Sequence, residues 1–425
     1  VLRKLGARKI NLPPALIQKA EADRLSLSPR LRGTKLDEWI DEWIVNNLDF
    51  KQRLSHGEYL ASRFRKGKLA LGAGIISELF KVKNKVFPNQ LALDEWLNDQ
   101  NFDEGTREKI SQAVPPTKQV AEDVVLALDL NSGTVLWKTS LDSVPTGRKS
   151  SSTPCLANGK IFAVGSKRIY CLDSKSGSPV WDEPLPTQEV ASSIMAVRQS
   201  VVVLAGNLRA YNQVDGTLLW ENNTVKGKAA SPVIWKTPSE EIILCNSNKS
   251  VVAVNPADGI TRWEGPGGGS STPVCNQSIA LVHGKDEKVG LIAYQYRKGE
   301  IEELWRVPKL TRRTDSSPIL YDGHAYLIGA GVRMCVNLKT GEVLRKVTAK
   351  HDISSPVFID GKILAYEINA SFLTVIDSNP KNFEGLVKIK VNALKCTSPS
   401  LSGTKLLIRR ENKIVCYELG ELSAP

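Results

Sequence analysis

The chain has 425 residues, 41% of them hydrophobic and 24% charged, which is enough apolar matter for a sizeable core and enough length for about two to four domains. That balance excludes a disordered or collagen-like chain, and no run approaches the roughly 18 apolar residues of a membrane-spanning helix. Lysine and arginine number 57 against 45 acidic residues, a formal charge of +12.

The excess is concentrated at the start. Residues 1–35 hold nine cations, from Arg3, Lys4, Arg8 and Lys9 to Lys35, against only Glu21 and Asp23. Such an arm can dock on an acidic protein, on phosphate or on anionic lipid. It lacks the tight Lys/Arg block and interleaved aromatics of a nucleic-acid patch, so a protein partner of acidic character is expected and a nucleic acid is not. Peripheral membrane association stays open. No charged-then-apolar signal segment is visible in the first residues.

Pro13 to Leu25 and Lys35 to Leu48 read as two helices, so residues 1–45 are expected to form a basic helical extension. The second helix carries Asp37-Glu38-Trp39 and Asp41-Glu42-Trp43, whose tryptophans stand one turn apart on one face. That face is expected to pack on the following domain, with a partner-binding face as the alternative. Arg3, Lys4, Arg8, Lys9, Trp39 and Trp43 are therefore the candidate partner-binding residues. Further on, Leu91 to Leu97 and Asp103 to Ile110 are helical in character and are closed by Pro115-Pro116.

From residue 120 a repeat dominates. A small residue, an apolar residue and an acidic or amide residue recur at Ala127-Leu128-Asp129, Cys171-Leu172-Asp173, Ala210-Tyr211-Asn212, Ala253-Val254-Asn255, Ala293-Tyr294-Gln295, Cys335-Val336-Asn337, Val375-Ile376-Asp377 and Cys416-Tyr417-Glu418. Eight copies over 289 residues give a period of about 41. Most copies continue into a turn ending in glycine (Gly133, Gly177, Gly216, Gly259, Gly299, Gly341), and five then carry a tryptophan: Trp137, Trp181, Trp220, Trp263 and Trp305. The glycine supplies a positive φ and the preceding Asp or Asn can bond back to the turn, so each copy holds a β-hairpin. Serine openings such as Ser152-Thr153-Pro154, Ser231-Pro232 and Ser355-Pro356 precede a second hairpin in each unit. Four short strands at this period make a propeller blade. The recurring tryptophans are expected to wedge blade against blade.

The expected fold is thus all-β, an eight-bladed propeller over residues 46–425. Completing the first blade requires strands from Tyr59 to Leu71, which makes residues 73–118 a helical insertion within that blade. Ring closure requires an N-terminal strand, and residues 46–54, with Phe50 near the tryptophan position, are the candidate.

The signature Ala-x-Asp-x-x-Thr/Ser-Gly-x-x-x-Trp at Ala127 to Trp137 and Cys171 to Trp181 resembles the tryptophan-docking repeat of the quinoprotein-like (PQQ-like) β-propeller superfamily, in its BamB-like branch. The likeness runs from about residue 120 to the C-terminus and weakens late, where Arg345 replaces the tryptophan and Asn379-Pro380 interrupts a copy. The resemblance implies either a quinoprotein dehydrogenase or a protein of outer-membrane assembly, and an exported location, periplasmic or extracellular. A PQQ enzyme of this kind has an adjacent Cys-Cys pair, a calcium site and large inserts over the funnel. Here no two of the seven cysteines lie closer than sixteen positions, and blades of this length leave little room for inserts.

The residues themselves offer little chemistry. The four histidines, His56, His283, His324 and His351, have no metal-ligand spacing, and neither a GxSxG elbow nor a phosphate-binding loop occurs. The cysteines read as packing residues, with Cys171, Cys335 and Cys416 at the small position of the repeat. No cofactor, metal or catalytic residue is expected. The expected function is a non-enzymatic propeller scaffold for macromolecular assembly, the alternative a PQQ- or other cofactor-dependent oxidoreductase with its site in the funnel.

Overall fold

The computed structural model describes residues 12–28, 31–69, 85, 87–88, 90–100, 102–113, 122–143, 152–186, 191–227, 229–308, 310, 315–351, 354–410 and 413–420. The chain divides into two units, residues 2–122 and residues 123–425.

The first unit is helical. It contains α1 (Pro14–Ser26), α2 (Thr34–Asn47), α3 (Phe50–Leu69), α4 (Gln90–Asp99) and α5 (Glu104–Ala113). In α2 the buried residues are Leu36, Ile40 and Trp43, spaced four and three apart, so one stripe faces inward. That stripe meets Leu60, Ala61 and Phe64 of α3, and α1 adds Ala20. The rings of Trp39 and Trp43 stand edge-on to Phe64 at 5.3 and 5.0 Å, and the Trp43 indole Nε1 donates to Asp23 Oδ2 at 2.8 Å. Leu93, Leu97 and Ile110 pack α4 against α5.

Four expectations are corrected here. Residues 46–54 are not a closing strand: they end α2, pass through Leu48 and Asp49, and begin α3. Asp49 and Gln52 form the reciprocal capping box, with Gln52 N donating to Asp49 Oδ1 at 2.8 Å and Asp49 N to Gln52 Oε1 at 3.0 Å, and this starts a helix where a strand had been placed. Residues 59–69 likewise belong to α3, because Leu60, Ala61 and Phe64 bury one helical face. Without those strands, residues 73–118 are not an insertion within a blade, and the boundary expected at residues 45–46 falls inside α2.

The second unit is an all-β propeller. Its blades are β3–β6 (residues 155–184), β7–β9 (195–227), β10–β13 (233–266), β14–β17 (274–307), β18–β20 (319–350), β21–β24 (357–390) and β25–β27 (400–418). Each is an antiparallel sheet with strands in chain order. Two blades have three strands because β8 (Ser200–Asn212) and β19 (His324–Asn337) run through the second and third positions as one stretch, bending near Gly206 and Gly331, both at positive φ. Among the described residues the strands make seven blades, not the expected eight. The first repeat copy forms only a two-stranded sheet of β1 (Glu122–Leu128) and β2 (Val135–Asp142). The last blade stops at its third strand, β27 (Ile414–Glu418), so Cys416, expected at a buried position, is exposed.

First strands of neighbouring blades touch, β3 against β7 and β14 against β18, which puts them innermost. The serine openings link there. Thr153 N donates to Ser193 Oγ, Ser193 N to Ser231 Oγ and Ser231 N to Thr272 Oγ1, at 2.9 to 3.1 Å. Ser271 Oγ reaches Ser316 O, Ser317 N reaches Ser355 Oγ, and Ser355 N reaches Ser398 Oγ. Six successive blade-to-blade steps are thereby bridged by a short hydroxyl: in five it accepts from a backbone N–H of the neighbouring opening, and at Ser271 it donates to a backbone carbonyl instead.

Replacing Phe64 by Ala should cost about 3 to 5 kcal/mol, because it removes the ring that both tryptophans of α2 pack on. Denaturation followed by tryptophan fluorescence and far-ultraviolet circular dichroism should show helix lost while β signal persists; loss of both together would show that the two units melt as one.

Candidate functional site

The joints between blades are the most constrained surfaces of the propeller. In each regular copy the Asx side chain caps its own turn: Asp173 Oδ1 accepts from Lys175 N and Ser176 N at 3.0 and 2.8 Å, and Gly177 N closes onto Asp173 O at 2.9 Å. The same closure recurs at Asp129, Asn212, Asn255 and Asn337. Bonds from Ser176 hold the Asp173 carboxyl below the ordinary carboxylate range.

The indole of the preceding blade lies on that turn. Trp137 Nε1 donates to Ser174 O, Trp181 Nε1 to Gln213 O, Trp220 Nε1 to Pro256 O and Trp305 Nε1 to Leu338 O, at 2.8 to 3.1 Å. The turn glycine faces the ring with no room for a side chain. A Cβ on Gly216 would lie 2.7 Å from the Trp181 ring and one on Gly341 2.6 Å from the Trp305 ring, and Gly177 and Gly259 are closed off in the same way by Trp137 and Trp220. Trp181, Trp220 and Trp305 are buried, whereas Trp137, on the two-stranded sheet, is half-buried.

Trp263 is not brought to such a turn. The next copy has Gln295 instead of Asp or Asn, and its hairpin closes at Lys298-Gly299, both at positive φ, with nothing near Gly299. Trp263 instead stands edge-on to Tyr294 at 4.8 Å. That joint is held by Trp235, which the repeat did not flag, and by Tyr294 of the repeat itself: Trp235, fully buried, donates from Nε1 to Asn276 O at 2.8 Å, and Tyr294 donates to Pro266 O at 2.6 Å. Trp235 lies outside the aligned signature, and only its place in the short apolar run Val233–Lys236 marked it as inward. Where Arg345 replaces the tryptophan, it pairs with Glu384 of the next blade at 3.7 Å, and Tyr326 donates to Ser378 O at 2.8 Å.

Beside these joints the propeller exposes several apolar side chains. Val135, Leu136, Val180, Val214, Leu218, Leu219 and Ile260, all beside the turns or just before the tryptophans, are 47 to 70% exposed. Since Trp181 and Trp220 tie successive turns together, Val180, Val214, Leu218, Leu219 and Ile260 follow one another across three adjacent blades. Exposed apolar side chains recurring from blade to blade are candidates for an interaction site.

The family whose description is "Outer membrane protein assembly factor BamB" matches residues 121–347, 227 of the 425 residues. The chain belongs to the BamB family. A Yersinia pestis outer membrane protein assembly factor BamB is 25% identical over 246 residues, covering 51% of this chain and 61% of that protein. The factor of the same name from Moranella endobia is 32% identical over 113 residues, 24% of this chain and 28% of that one. The chain thus matches less than two thirds of the length of these curated relatives. Among solved structures, BamB from Moraxella catarrhalis has a TM-score of 0.58 at 14% identity, covering 71% of this chain and 90% of that one. A europium-containing methanol dehydrogenase has a TM-score of 0.52 at 12% identity, covering 68% and 80%. At these identities the likeness is one of fold alone.

In this BamB-family chain the remaining candidates fall elsewhere. Trp43 is buried and Trp39 half-buried against Phe64 within the helical unit, so the face proposed for a partner is occupied by α3. Arg3, Lys4, Arg8 and Lys9 lie outside the described residues. The thiols of Cys171 and Cys275 are pushed up to about 11 and those of Cys245 and Cys335 to about 12, in each case chiefly by burial. Cys396 and Cys416 are exposed.

Two outcomes follow from this geometry. Trp220→Ala should cost about 3 to 5 kcal/mol, and Gly259→Ala should be far more damaging than Gly299→Ala, which meets open space and bears only the backbone cost of about 1 kcal/mol; equal losses in chemical denaturation would show that the indole does not rest on the glycine. At pH 8, iodoacetamide should alkylate Cys396 and Cys416 in the folded protein and spare Cys171, Cys245 and Cys335 until it is unfolded, because the thiolate is the reactive form. Early labelling of Cys245, read by mass spectrometry, would contradict the burial.

Proposed function

We propose that this chain is a non-enzymatic scaffold in outer membrane protein assembly, holding a protein partner on the apolar rim of its blade joints. The observation that carries the reading is the line of exposed Val180, Val214, Leu218, Leu219 and Ile260 across three blades, whose backbone is fixed by the Trp181 and Trp220 joints and so is presented without an ordering cost. Membership of the BamB family, and relatives named as outer membrane protein assembly factors, supply the process. Among the described residues no helix is long and apolar enough to cross a membrane, and the reading puts the protein in an exported compartment. The cations Arg3, Lys4, Arg8 and Lys9 would add a salt-sensitive attraction to an acidic partner, reaching about 8 Å at physiological ionic strength.

Val214→Asp combined with Leu218→Asp tests this, since both side chains are exposed and their loss should leave the melting temperature within a few degrees. When the variant replaces the natural chain in its source organism, outer-membrane protein content should fall to the level seen without the protein. Normal content at normal variant abundance would overturn the reading.

A further inference from the structure

The seam between β18–β20 and β21–β24 holds an open cleft of about 470 Å³, within the roughly 300 to 1,000 Å³ of small-ligand pockets. Its lining is unbalanced in charge: Arg333, Lys350 and Lys388 face a single carboxylate, Glu367. Glu367 is already engaged. Lys388 Nζ donates to it at 2.6 Å and His351 Nδ1 lies 3.4 Å away. Burial alone would raise its pKa, but the Lys388 bond and the neighbouring His351 bring it below the ordinary range.

Arg333 is attracted by Glu367 and Glu384, which only partly offsets the effect of its burial. Only 9% of the residue is exposed, and its buried Nε has no hydrogen-bond partner among the described residues. Its guanidinium lies 5.5 Å from the Phe383 ring centroid, a contact that positions the plane without neutralising it. A buried cation with an unused donor is costly unless an anion completes it. Gly385 keeps the approach open, for a Cβ there would lie 3.2 Å from Thr374 Cγ2 and 3.7 Å from Arg333 Nη1. Beside the cations the wall is mixed, with Thr348 and Thr374 alongside Ala349, Leu386 and Val387, and the last two are half exposed.

We propose that this cavity binds a small carboxylate carrying an apolar tail, the guanidinium of Arg333 taking the carboxylate, Lys350 adding a second cation, and Leu386 and Val387 covering the tail. A guanidinium fork matches a planar carboxylate with two parallel bonds, and the apolar side chains of Leu386 and Val387 at one side favour an amphipathic anion over a fully hydrated one.

Hexanoate, acetate, 1-hexanol and inorganic phosphate are the probes, each titrated into the full chain and followed by ligand-observed saturation-transfer nuclear magnetic resonance. Hexanoate should bind at least tenfold more tightly than acetate, and 1-hexanol and phosphate should not compete with it. Lys350→Gln, at an exposed position, should weaken hexanoate severalfold, and Gly385→Ala, which narrows the approach, should do the same. Arg333→Gln should abolish binding if circular dichroism shows the blade intact. Phosphate binding more tightly than hexanoate, no binding of hexanoate, or hexanoate affinity unchanged in both Lys350→Gln and Gly385→Ala would each overturn the proposal.

Discussion

The contact between an indole and the capped turn of the next blade is the constraint on which the propeller depends. A four-stranded blade buries one face of its sheet only by stacking, and stacking needs something that sets the distance and register between sheets. Trp181 and Trp220 do this in two ways at once. The ring fills the space above Gly216 or Gly259, where no Cβ fits, and its Nε1 donates to a turn carbonyl that the hairpin itself leaves unused. The glycine is required twice over, for its positive φ and for the absence of a side chain. Because the turn is closed by its own Asp or Asn, the platform is rigid before the indole arrives.

Where the repeat decays, other chemistry takes over the same task. Loss of the Asx residue at Gln295 shortens the turn to two residues, which leaves Trp263 nothing to sit on, and the joint passes to Trp235, Tyr294 and Tyr296. Loss of the tryptophan at Arg345 leaves a weaker, solvent-facing ion pair to Glu384, and Tyr326, Phe383 and Arg333 fill the space beneath. The irregular joint is also where the cavity lies. The regular joints are filled by an indole, whereas here the space beside Arg345 stays open.

The regular joints have the complementary property. They are tight inside and apolar outside, because the strand that delivers the tryptophan inward alternates and so sends Val180 or Leu219 outward. The architecture that locks the blades therefore generates an exposed apolar line as a by-product, on a backbone too constrained to move. An assembly scaffold needs such a surface.

The repeat, its four-strand unit, the turn glycines and four of the five docking tryptophans were legible in the sequence, because each is a local requirement restated every 41 residues or so. The helices at Pro14–Ser26 and Thr34–Asn47 were equally legible from their periodicity. What failed was the extension of the pattern into residues 46–71. There Tyr59 to Leu71 could be aligned with a blade opening, but the Asp49-Gln52 capping box and the Leu60, Ala61, Phe64 stripe specified a helix, and a tertiary partner in α2 made that helix the lower-energy choice. The blade count, the burial of Trp39 and Trp43 against Phe64, and the cluster around Arg333 were decided only by tertiary structure. Each depends on which surfaces, distant along the chain, come to face one another, and a single sequence states such pairings only where it repeats them.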